Sequence, residues 1–135
     1  MSSTSVTGWL LDTHALLWML HGDRRLSKKA IEAIDGRLPV FHSSVSFWEM
    51  AIKLSNSGFD FEVDDDWNQI YPKELERIGV GMIAPHIDDA RLVQSLPKHH
   101  GDPFDRMLVC QATRLKLGII SADQALDLYD VKRIW

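Results

Sequence analysis

Gly8-Trp9-Leu10-Leu11-Asp12-Thr13-His14-Ala15-Leu16-Leu17-Trp18 is the stretch on which the fold turns. A short apolar run ends at an acid, and helical spacing follows at once over residues 13–20. The same alternation continues along the chain. Ser27 is placed to cap a helix running to about residue 35. Residues 38–41 have strand character, and a helix over 44–56 is stopped by Gly58. The acidic run Asp64-Asp65-Asp66 opens a helical stretch to about residue 78, with Pro72 interrupting it or starting a second piece. A strand at 81–84 and a helix at 87–95 follow. Asp102 at the N-cap, Pro103 at N1 and a further acid, Asp105, then start the clearest helix in the chain. Leu108, Val109, Ala112 and Leu115 form its apolar stripe, and Gly118 is expected to end it. Residues 119–121 form a short strand feeding Asp123, 124–128 are helical, and 131–134 make a last strand. Short apolar strands alternating with helices predict an α/β protein, a three-layer α/β/α sandwich around a central, mostly parallel sheet.

The bulk numbers agree with a single domain at 8–135, preceded by a loose end at 1–7 that is rich in Ser and Thr. A chain of 135 residues can bury a real core without disulfide or zinc staples. Its 45% hydrophobic and 25% charged residues exclude a disordered chain. Cys110, the single cysteine, lies in the apolar run Met107-Leu108-Val109-Cys110, where it reads as a small core residue. One cysteine allows no internal disulfide, so a reducing compartment is expected. No leader pattern is seen, and the apolar runs near Leu10 and Leu16 are broken by Asp12 and His14, so the protein is expected to be cytoplasmic and not a membrane protein. A net charge of −4 speaks against a protein that coats nucleic acid. It does not exclude a nuclease, because carboxylates that hold a cation count as negative in the sequence.

Four acids occupy positions that local structure does not fully explain. Asp12 follows directly on an apolar strand and Asp123 lies just past another. In open parallel sheets, ligands bind beyond the carboxyl ends of the strands. Helix capping is the plain alternative for each. Asp105 has Leu108, Val109 and Ala112 at i+3, i+4 and i+7, so it shares the apolar stripe at the start of its helix. Asp102 already fills the cap there. Glu49, with Val45 and Ile52 at i−4 and i+3, borders an apolar face, and its alternative is a surface pair with Lys53, worth about 0.3–0.5 kcal/mol. If the four converge, burying them unpaired is strongly unfavourable. A hard divalent cation such as Mg²⁺ or Mn²⁺ resolves the conflict and suits phosphodiester hydrolysis.

Four segments carry a family resemblance. Leu10-Leu11-Asp12-Thr13-His14-Ala15-Leu16-Leu17-Trp18 resembles the opening motif of PIN-domain proteins, in particular VapC-type toxins of toxin–antitoxin systems. Ser43-Ser44-Val45-Ser46-Phe47-Trp48-Glu49-Met50-Ala51-Ile52-Lys53 resembles the second motif. His100-Gly101-Asp102-Pro103-Phe104-Asp105-Arg106 resembles the third, and Ile120-Ser121-Ala122-Asp123 the fourth. The resemblance implies a three-layer PIN fold and a Mg²⁺- or Mn²⁺-dependent endoribonuclease, with Asp12, Glu49, Asp105 and Asp123 as the catalytic, metal-binding quartet. Asp12 and Asp105 would hold metal most directly. Thr13 and Ser121 match polar positions that could place water or phosphate. It further implies an RNA substrate, a homodimer and a cognate antitoxin that masks the site.

Other residues admit two readings. Arg106 and Lys53 are candidates to meet phosphate, with a solvated or acid-paired role as the alternative. His99, His100 and Asp102 offer too few ligands at zinc spacing, which favours Asp102 as a helix cap. The tryptophans, Trp18 and Trp48 among them, read as core or dimer contacts rather than base-stacking platforms. Two competing functions remain at this level. One is a phospho-acceptor module of receiver type, which expects paired acids after the first strand and a late strand-end Lys. The other is a catalytically degenerate PIN-like binding module.

Overall fold

The computed structural model describes residues 5–135. Residues 1–4, the larger part of the expected loose end, lie outside the described residues. Val6 packs against the core, and the Thr7 N–H donates to the Lys116 carbonyl at 3.0 Å.

Five strands form one parallel sheet in the order β3-β2-β1-β4-β5. They are β1 (Trp9–Leu11), β2 (Val40–Ser43), β3 (Gly81–Ile83), β4 (Gly118–Ile120) and β5 (Arg133–Ile134). Strand β1 lies at the centre, with Leu10 paired to Phe41 on one side and to Ile119 on the other. Side chains of a strand alternate between faces, and β1 follows this rule. Trp9 and Leu11 join Ala15, Leu16, Ala30, Leu75 and Ile120 on one face. Leu10 joins Leu108, Val109, Ala112, Ile119 and Leu126 on the other. The first face is covered by α1 (Thr13–His21), α2 (Lys28–Ile34) and α4 (Trp67–Arg77), and the second by α6 (Pro103–Leu115) and a 3₁₀ turn at Gln124–Leu128. Helix α3 (Ser44–Leu54) packs against both α1 and α6, and α5 (Ile87–Ser95) lies along α6. The architecture is the expected three-layer α/β/α sandwich.

The strand order removes the receiver alternative. Receiver-type folds run 2-1-3-4-5, whereas this sheet runs 3-2-1-4-5. From β1 the chain winds outward through β2 and β3, returns, and winds the other way through β4 and β5. The switch point therefore lies between β1 and β4, where Leu11 faces Ile120 across the last paired rung.

Several boundaries differ from the sequence reading. The second strand starts at Val40 rather than Leu38, because the Pro39 carbonyl already receives the Trp9 N–H at 2.9 Å and the chain joins the sheet only there. Helix α4 begins at Trp67, after the acidic run, and continues through Pro72. Helix α6 ends at Leu115, with Lys116 and not Gly118 in the left-handed position at φ 59°. Gly118 instead opens β4 beneath Trp9: a Cβ there would stand 2.3 Å from the indole ring. Among the described residues, no helix is long and apolar enough to cross a membrane.

Candidate active site

The carboxyl ends of β1 and β4 deliver the first two acids. Asp12 follows Leu11 and caps α1, its Oδ1 accepting the Ala15 N–H at 2.8 Å. Asp123 follows β4 by three residues and caps the 3₁₀ turn, its Oδ1 accepting the Ala125 N–H at 3.0 Å. Capping is thus real for both, but it uses one oxygen of each. For Asp123, the other oxygen, Oδ2, faces the His100 ring. Ser121, wholly buried, adjoins both. Its Oγ accepts the Asp123 N–H at 3.0 Å, and it stands near enough to Asp12 to favour that acid's charged form.

Glu49 reaches the site from α3. Only 6% of it is exposed, which rules out the surface pair with Lys53. The Thr13 hydroxyl donates to Glu49 Oε1 at 2.6 Å and lies 3.0 Å from Ser46 Oγ. A hydroxyl has one proton to give, so with Glu49 as its acceptor Thr13 receives the Ser46 proton. Lys53 instead stands over the Phe59 ring, 5.3 Å from its centroid. Asp105 enters from the first turn of α6. Asp102 serves as that helix's cap, as expected, accepting the Phe104 and Asp105 N–H groups at 2.8 and 3.0 Å.

Burial, reinforced by neighbouring charge, raises three acids of the cluster. Burial, followed by the charges of Glu49 and Asp123, pushes Asp12 up to about 6 despite the opposing effects of Ser121 and Ala15. Burial pushes Asp105 up to about 7, aided by the charges of Asp102, Asp12 and Glu49. Glu49 is also raised, chiefly by burial, with the Thr13 bond opposing. Asp123 moves the other way. Burial acts to raise it, but His100, the Ala125 N–H and Arg133 together bring it below the ordinary carboxylate range. The four acids share one electrostatic environment at the switch point, the place where ligands bind in open α/β sheets.

The sequence from residue 9 to residue 132 matches the PIN domain family. The chain belongs to the PIN-domain family. No curated protein matches it by sequence. Among solved structures, the PIN domain described here is similar to VapBC2 from Rickettsia felis bound to a DNA fragment from their promoter, at 10% identity over 93% of this chain and 96% of that one, with a TM-score of 0.69. It is also similar to a toxin–antitoxin complex from Klebsiella pneumoniae, at 16% identity over 95% and 97% of the two chains and a TM-score of 0.64. FitAcB from Neisseria gonorrhoeae matches at 14% identity over 94% and 96%, with a TM-score of 0.59. At these identities the likeness is one of fold.

Of the residues singled out from the sequence, Asp12, Thr13, Glu49, Asp105, Ser121 and Asp123 gather at this edge of the PIN domain. Arg106 does not face the acids. Its guanidinium donates to the carbonyls of Val93, Leu96 and Pro97 at 2.9–3.4 Å and to Tyr129 Oη at 3.3 Å, so it clamps the connection between α5 and α6. Trp48 is 63% exposed and meets Phe104 edge-on, outside the core. Trp18 is half-buried against His14 and Trp135. Two residues of the site went unassigned in the sequence reading. Ser46 lies one helical turn before Glu49, a spacing that could have flagged it. His100, whose Nε2 lies 2.6 Å from Asp123 Oδ2, sits in a polar loop with no periodicity to mark it.

Proposed function

We propose that this PIN domain is a Mg²⁺- or Mn²⁺-dependent endoribonuclease and the toxin component of a toxin–antitoxin pair. The observation that carries the reading is a set of acids at the switch point in which Asp105 and Asp123 offer oxygens within 4.8 Å of each other, Asp12 feels the charges of Glu49 and Asp123, Asp105 feels those of Asp12 and Glu49, and Asp12 and Asp105 are pushed up to about 6 and about 7. At neutral pH such a cluster is costly without a cation. The donor set is made of carboxylate oxygens, the ligands that hard divalent ions prefer. Asp12 and Asp105, the two most strongly raised acids, would hold the ion most directly, and Glu49 and Asp123 would complete the pocket. When bound, the ion would supply charge neutralisation for the phosphodiester and a more acidic water.

The chain's own groups do the positioning. Thr13 and Ser46 hold Glu49 at the wall of the site, and Ser121 holds the Asp123 backbone. Binding requires the acids in their charged form, so the ion and protons compete for the same oxygens. The structural likeness to chains solved as toxin–antitoxin complexes supports the toxin role, with a cognate antitoxin, a homodimeric toxin and an RNA substrate as its corollaries. A degenerate binding module is disfavoured, because all four acids are present and gathered.

The test is cleavage of single-stranded RNA by purified protein with MgCl₂ or MnCl₂, beside Asp12→Asn. The reading expects metal-dependent product from wild type and a loss of at least about 100-fold in the variant, the scale of removing a central electrostatic group. Equal cleavage by both proteins, or none by wild type at any metal concentration, overturns it.

A further inference from the structure

His100 lies in the loop between α5 and α6 and is anchored on three sides. Its backbone N–H donates to Tyr129 Oη at 2.9 Å, the same oxygen that Arg106 reaches. On the ring, the Asp102 backbone N–H donates to Nδ1 at 3.0 Å. Nε2 lies 2.6 Å from Asp123 Oδ2 and 3.4 Å from Asp105 Oδ2. A backbone N–H can only donate, so Nδ1 must present its lone pair and the ring proton belongs on Nε2. A carboxylate can only accept, so the Asp123 contact demands a donor at Nε2 as well. Both neighbours select the same tautomer.

One atom each from His100, Asp105 and Asp123 lie within 4.8 Å of one another, a spacing in which imidazole could serve as a nitrogen ligand to a cation. Ligation through Nε2 would require its lone pair and move the proton to Nδ1, where it would confront the Asp102 N–H. That cannot happen without breaking the bond from the Asp102 N–H to Nδ1, just ahead of α6.

We propose that His100 is a positioning residue, a fixed Nε2–H donor that holds the Asp123 carboxylate, and not a metal ligand. The proposal rests on the metal-site reading above and adds an outer layer to it. Metal-binding carboxylates and imidazoles generally depend on such outer partners, whose loss typically weakens metal affinity 10–100-fold. Arg106 reaches the site indirectly, through Tyr129 and the His100 backbone.

The experiment has two readouts on the full chain. First, ring-nitrogen NMR of ¹⁵N-histidine-labelled protein in EDTA and then in MgCl₂, a diamagnetic probe, should show His100 protonated at Nε2 and unprotonated at Nδ1 in both. A proton on Nδ1, or on both nitrogens, overturns the proposal. Second, titration calorimetry with MnCl₂ should show His100→Ala binding 10–100-fold more weakly than wild type. His100→Gln, whose amide can present an N–H near the Nε2 position, should recover most of that loss. Equal loss in both variants, or none in either, overturns the proposal. If wild type shows the expected tautomer yet binds no Mn²⁺, the metal reading falls while the His100–Asp123 assignment is upheld, so the two failures are distinct.

Discussion

Asp105 is the residue at which burial and repulsion meet most directly. It sits at the start of α6 where an acid would ordinarily favour the helix, yet burial and three neighbouring acids push it up to about 7. Replacing it with Asn keeps the shape and removes the charge. In EDTA at pH 7.5, Asp105→Asn should therefore melt no lower than wild type, and higher by an amount equivalent to roughly 1–3 kcal/mol. With Mn²⁺ the order should invert, because wild type gains binding energy that the variant has lost. Calorimetric melts of both proteins in both buffers check this. A variant that melts lower in EDTA, with wild type indifferent to Mn²⁺, would make Asp105 a structural acid and leave the site without its most strained member. Glu49 teaches a related point at this scale. The sequence put it on the border of an apolar face, and that border proved to be the interior, because Thr13 and Ser46 supply the polar contacts a buried carboxylate needs.

At the scale of elements, the junction of α6 with β4 separates what local sequence can say from what it cannot. The start of α6 was legible: cap, proline and apolar stripe all lie within a few residues of one another. Its end was not. Local rules favour glycine as the helix stop, but Lys116 takes the left-handed turn and Gly118 is kept small by Trp9, which arrives from a strand more than a hundred residues earlier. The acids were legible for the opposite reason, since each stood where no local rule fully accounted for it. His100 gave no such signal, because its partner Asp123 is brought to it only when β4 docks beside β1. Two substitutions follow from the junction. Lys116→Gly should stabilise the protein by about 1 kcal/mol by relieving the left-handed conformation. Gly118→Ala should destabilise it by about 1–3 kcal/mol or more through overpacking against the indole. Urea midpoints decide both, and the reverse order would mean that the indole yields to an added methyl at Gly118 and that Lys116 is not strained.

For the whole molecule, the same acids set how stability varies with pH. Asp12 and Asp105 have folded-state values of about 6 and about 7 against an ordinary 3.8. Between these limits the folded protein binds more protons than the unfolded chain. Stability must then fall as pH rises through the window. Asp105 alone would account for about 4 kcal/mol of that loss by pH 7.5, taking roughly 1.4 kcal/mol per pH unit. Asp89 and Asp123 work in the opposite sense. Burial acts to raise both, but Arg114 and the His86 N–H draw Asp89 down, and His100 draws Asp123 down, so their contributions are lost only as pH drops below the ordinary carboxylate range. The metal-free protein should accordingly be most stable near pH 4–5 and lose stability toward neutrality, unlike a protein whose acids are all paired. Saturating Mn²⁺ should reverse the slope above about pH 6, since only the charged carboxylates bind it. Denaturant titrations from pH 4 to 8, in EDTA and in Mn²⁺, test the two slopes together. A metal-free profile that is flat or rising from pH 5 to 7.5 would mean that burial and neighbouring charge do not raise Asp12 and Asp105 in solution, and a cation at the switch point would have no such cost to relieve.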